Sequence, residues 1–187
     1  MKRSVVAGFG FAAMMVPQMA LAHPGHGGTS FTAGLIHPLT GADHLLAMLL
    51  VGVGAAVFVR RNGWMLPVGF LVALTVGFAT FALLPGAVAE AGILASLVVL
   101  GMATALRLDT PAPVAMLAVM VFGYAHGAAH GAETPSGELP WLFAAGFLAA
   151  STALHLGGYA LARVLPDRAL QLIGMGSAGL GLVLAVA

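Results

Sequence analysis

The chain has 187 residues, 60% hydrophobic and only 7% charged, with a formal net charge of +1. A soluble domain is usually about 25% charged, so this chain cannot cover itself with polar surface and its solvent must be lipid. The net charge by itself says nothing about nucleic acid, and with no basic cluster in the chain no nucleic-acid partner is expected. The absence of cysteine removes disulfides, thiolate metal sites, iron–sulfur clusters and cysteine nucleophiles together.

Residues 1–22, "MKRSVVAGFGFAAMMVPQMALA", begin with Lys2 and Arg3, continue as an apolar run and end in Ala20-Leu21-Ala22. These are the three parts of a secretory signal peptide; an uncleaved first helix is the alternative. Cleavage after Ala22 leaves residues 23–187 as a single transmembrane helical domain starting "HPGHGG". His23 and His26 there are either weak metal donors or part of a plain polar tail.

Long apolar runs then recur with short breaks. About 20 residues cross the hydrocarbon core, and the pattern predicts spans near 31–59, 64–84, 87–106, 112–132, 140–164 and 169–186. The expected fold is all-α, a polytopic bundle of six spans. The first run is too long for one straight crossing, so a break near Pro38–Gly41 is expected, with a half-helix before it and a span from about 42 to 59 after it.

Arg60, Arg61, Arg107, Arg163 and Arg168 fall on alternate loops, whereas the other loops carry Glu90, Glu133 and Glu138. Basic residues collect on the cytoplasmic side, which predicts that the Arg60 loop lies inside and that the mature N-terminus and the C-terminus lie outside. Gly123, Gly127 and Gly131 recur every four residues, a spacing that lets helices approach closely in lipid. "GMGSAGLG" in the last span resembles it.

Two distant segments carry the ionisable groups. His37, Asp43 and His44 lie at the outer end of the first span. His126, His130 and Glu133 lie toward the outer end of the fourth, spaced four and then three apart on one helical face. An ionisable group inside the membrane costs about 2.5–3.5 kcal/mol on insertion scales, and such groups pair with one another or line an ion path. A shared divalent cation offsets that cost. Histidines and acids bonded to each other as helix glue are the plainer alternative. A nitrogen and oxygen donor set suits nickel, cobalt or zinc better than copper(I). Met116 and Met120 share a helix face, but methionine in a membrane helix is ordinarily packing. His155, about sixteen residues into the fifth span, is either a second way-station or a histidine bonded to a neighbouring carbonyl.

His37-x5-Asp43-His44 and "HGAAHGAE", holding His126, His130 and Glu133, resemble the two signature motifs of the HupE/UreJ family of bacterial nickel permeases. The resemblance extends over essentially the whole chain, in signal peptide, size and span count. It implies uptake of nickel, or sometimes cobalt, across the inner membrane for hydrogenase or urease maturation. It also implies that His37, Asp43, His44, His126, His130 and Glu133 are the important positions, with Glu90 and Phe70 matching further functional ones. One departure is visible. Family members often carry an aromatic residue just before the first histidine of the second motif, where this chain has Ala125, with Tyr124 one earlier.

The expected cargo is therefore a divalent metal ion, the partner is the lipid bilayer, and neither a permanent cofactor nor an enzymatic activity is expected. No Walker motif is present, so the chain itself is not expected to hydrolyse ATP. Two rivals are a bis-histidine haem b electron-transfer protein and an intramembrane metallohydrolase. The second motif lacks the glutamate directly after its first histidine that zinc proteases use as base.

Overall fold

The computed structural model describes residues 30–59, 61–134 and 139–187. The expected signal peptide, His23, His26, Arg60 and Glu138 lie outside the described residues. Seven α-helices follow in order: α1 Phe31–Thr40, α2 Ala42–Val57, α3 Met65–Ala79, α4 Gly86–Ala105, α5 Ala112–Glu133, α6 Pro140–Val164 and α7 Asp167–Val186. A 3-10 turn, Phe81–Leu83, joins α3 to α4, and no strand occurs among the described residues.

The helices α4 to α7 are long and apolar enough to cross a membrane, and α1 with α2 makes a fifth candidate as one broken span. The helix α3 has 15 residues, short of the about 20 that a straight crossing needs. The sequence suggested a span reaching residue 84. The helix instead ends at Ala79, where Thr80 leaves helical geometry and returns its hydroxyl to the Val76 carbonyl.

The expected break in the first run is present and sits at one residue. Gly41 is extended, at φ −105° and ψ 126°, and the helices on either side meet at 89°. Pro38 stays inside α1. Ser30 caps the start of α1 by accepting from the Ala33 N–H, and the Thr40 hydroxyl donates to the His37 carbonyl at its end. At ten residues α1 is about 15 Å long, too short to cross by itself.

Glycines set the close contacts. A Cβ on Gly123, Gly127 or Gly131 of α5 would strike the Phe70, Leu74 or Phe78 carbonyl of α3. The helices α2 and α6 approach in the same way through Gly52 and Gly158. In the last span Gly174 and Gly181 face α4, whereas Gly176 and Gly179 face open space. Lipid offers no hydrophobic drive between helices, so this fit supplies the attraction. Met48, Leu50, Phe70, Val119 and Phe147 fill the centre and are buried.

The two ends of the bundle differ. At one, the Thr110 N–H donates to the Phe58 carbonyl and Arg107 pairs with Asp167, drawing three helix connections together. Arg61, Arg107, Arg163 and Arg168 belong to that basic end. At the other end the outer turns of α1, α2, α4 and α5 bring His37, Asp43, Glu90 and Glu133 together.

Candidate metal site

The helix α5 presents His126, His130 and Glu133 on one face because successive offsets of four and three are about one turn each. Its glycine stripe is turned to α3, which leaves the histidine face toward α1, α2 and α6. The break at Gly41 lets one stretch of chain meet that face twice. His37 comes from the last turn of α1 and His44 from the first turn of α2, and their rings stand 6.2 Å apart.

Three donor atoms form a triangle. His37 Nε2 is 3.1 Å from His130 Nδ1, His130 Nδ1 is 3.2 Å from Glu133 Oε2, and His37 Nε2 is 3.8 Å from Glu133 Oε2. These edges define a point about 2.0 Å from all three atoms, the bond length of a divalent first-row metal to imidazole or carboxylate. The edges also match the spacing between neighbouring ligands around such an ion. Among the described residues this is the group of three or more such side chains close enough to hold one ion.

Below the triangle, toward the basic end, aromatic rings follow in steps. The His130 and His44 rings are 4.6 Å apart, and the His44 and His126 rings 5.6 Å. Phe70 stands 5.3 Å from His126 and 5.2 Å from His155. Phe143 and Phe147 of α6 wall the triangle, at 5.4 Å from His37 and 4.6 Å from His130.

The hydrogen bonds settle which nitrogens carry protons. A carbonyl or a carboxylate only accepts. His126 Nδ1 therefore donates to the Phe122 carbonyl and His155 Nδ1 to the Met48 carbonyl, each at 2.8 Å. His44 Nδ1 donates to Asp43 Oδ1 at 2.8 Å, and the same oxygen accepts the His44 backbone N–H. In each ring Nε2 keeps its lone pair, the arrangement seen when a second group orients a metal-binding imidazole. The Nε2 atoms of His44, His126, His130 and His155 are all buried without a hydrogen-bond partner. An unmet buried polar atom costs about 1–3 kcal/mol, so four in one bundle is a concentrated cost.

The six motif residues thus meet in one place, with distinct surroundings. His126 and His130 are buried, while His37 is partly exposed and Glu133 is exposed. The described contacts of Asp43 turn its carboxylate to the His44 ring. Glu90 is exposed near the start of α4, close enough to feel the charges of Glu133 and Asp43. His155 lies apart, behind Phe70. Sequence reasoning left out Gly41 as a spatial requirement, although a Cβ there would come 2.7 Å from Asp43 Oδ1 and 3.1 Å from His44 Nδ1. It also left out Phe147 and Ser151, whose spacing of four from each other and from His155 was the available signal. The contact of the His37 and His130 rings, with centroids 4.6 Å apart, leaves no room for a flat haem between them.

The chain matches the HupE / UreJ protein family over residues 11–184. It belongs to the HupE/UreJ family. Protein HupE of Rhizobium leguminosarum bv. viciae is 33% identical over 172 residues, which cover 90% of this chain and 88% of the relative. No solved structure matches. Against the HupE/UreJ pattern, the departure at Ala125 has a structural counterpart: the neighbouring Tyr124 hydroxyl lies 3.1 Å from the Thr80 hydroxyl, so that aromatic residue engages the end of α3.

Proposed function

We propose that this multi-pass membrane protein is a permease that carries nickel(II), or cobalt(II), inward across the bacterial inner membrane. On this reading it supplies the maturation of a hydrogenase or urease, and the mature N-terminus and C-terminus face the periplasm. The short α3, extended by its 3-10 turn, counts as the sixth span. The single observation that carries the proposal is the triangle of His37 Nε2, His130 Nδ1 and Glu133 Oε2 around a point at metal-bonding distance. Membership of the HupE/UreJ family supports it.

Glu90 and Glu133 attract the hydrated cation at the acidic end. The ion exchanges water for the triangle's three donors, and the His44 and His126 rings offer the next lone pairs inward. Asp43 holds the His44 ring with its proton on Nδ1 and so keeps Nε2 ready. The membrane potential, negative inside, favours entry by about 2.3 kcal/mol per charge per 100 mV, which suffices for facilitated diffusion.

Radiolabelled nickel uptake into proteoliposomes tests the reading. Wild-type protein is expected to accumulate the ion under an inside-negative potential, and His130→Ala to fall to the level of empty vesicles. Equal uptake by the two proteins would refute the proposal. Protons compete with the metal for imidazole lone pairs. Uptake is therefore expected to fall as the outer pH drops through the range where histidines protonate, and a steady rise instead would contradict ligation by neutral histidines.

A further inference from the structure

Beyond the triangle, α6 carries a second polar place that the family motifs do not contain. His155 is 2% exposed and Ser151 is fully buried. They lie four residues apart, on one face of the helix. The His155 ring is fixed by its bond to the Met48 carbonyl, seven residues past Gly41 and so about 10 Å further along α2. That bond serves the packing of α2 on α6 and accounts for Nδ1 alone. Nε2 is left with a lone pair and no partner.

Ser151 is the more telling of the two. A buried helical serine or threonine ordinarily returns its hydroxyl to a carbonyl of its own helix. Ser96, Thr104 and Ser177 do so at 2.6, 2.8 and 2.9 Å. Ser151 Oγ has no partner although it is buried just as deeply. Two unmet polar groups thus share one face of α6, and the ring of one, His155, meets Phe70. The Phe70 ring makes edge contacts with both His155 and His126, the last imidazole of the outer group.

We infer that His155 Nε2 and Ser151 Oγ form an inner binding station for the same divalent first-row cation, separated from the outer cluster by the Phe70 ring. The inference rests on the permease reading. The ion leaves His126, passes Phe70 as that ring turns aside, and binds the nitrogen and oxygen of α6 before release at the basic end. The lone pair on Nε2 and the hydroxyl oxygen replace water that a bare cation at this depth would otherwise lack.

The chain has no cysteine, so one introduced thiol reports its own surroundings. Cobalt(II) is the probe, added to full-length protein purified in detergent. Wild-type protein is expected to show the visible d–d bands of bound cobalt. Ser151→Cys is expected to add a near-ultraviolet sulfur-to-cobalt charge-transfer band. Ser151→Cys combined with His155→Ala is expected to lose that band while keeping the d–d bands. His155→Ala alone is expected to lower cobalt uptake by proteoliposomes roughly tenfold or more, as removal of a metal-supporting group typically does. Ser151→Cys protein that keeps the d–d bands but shows no charge-transfer band overturns the inner station and leaves the permease reading standing. A band that survives His155→Ala overturns the part assigned to His155. Wild-type protein with neither d–d bands nor uptake removes the permease reading itself, and the station with it.

Discussion

The two ends of the bundle handle polarity in opposite ways. At the basic end, Arg107 and Asp167 meet as a pair with side chains 42% and 65% exposed, so water shares the work of solvating them. At the acidic end, His126 and His130 are almost wholly buried, and four imidazole nitrogens in the bundle lack partners. An exposed ion pair contributes little either way, about 0–1 kcal/mol. Buried unmet nitrogens are costly, and a cation that takes up the Nε2 lone pairs of His44 and His126 would offset part of that cost. On the permease reading proposed above, the basic end serves as an orientation signal and the acidic end as the binding site.

Variants should separate the two ends by size of effect. The largest is expected at the triangle: His130→Ala should reduce nickel uptake about 100-fold or more, because His130 is the buried one of its three ligands, 2% exposed. Next comes the support of the His44 ring. Gly41→Ala pushes a methyl group into the Asp43–His44 pair, and Asp43→Asn weakens the acceptor of the ring N–H. Each should lower uptake about tenfold, with folding judged by an unchanged elution profile in detergent. The smallest effect belongs to the basic end. Arg107→Ala should change unfolding stability by less than about 1 kcal/mol and leave the uptake rate close to wild type. An Arg107 variant as damaging to transport as His130→Ala would erase the distinction. A silent Gly41→Ala would show that the geometry of the break does not govern the His44 ring.

Much of this was legible in the chain. The long apolar runs give the helices, because lipid requires every backbone group to be satisfied within its own segment. Gly41 was part of the expected break, and Pro38, the other part, is accommodated inside α1. The spacing of His126, His130 and Glu133 put them on one face, since that depends on helical pitch alone. The reading of α3 was less complete. Its apolar character continues past residue 80, and hydropathy does not register the turn at Thr80 that ends the helix.

The sequence by itself determined the solvent, the helical class, the alternation of basic and acidic loops and the membership of each histidine in a local motif. All of these follow from composition and from interactions within a turn or two of the chain. Only the tertiary structure decided that His37 of one helix meets His130 of another at 3.1 Å, that Asp43 faces the His44 ring, and that Phe70 of α3 meets both His126 and His155. These depend on how glycine-lined helices cross and on an 89° bend. Contacts between groups 93 or 107 residues apart have no periodicity from which to be read.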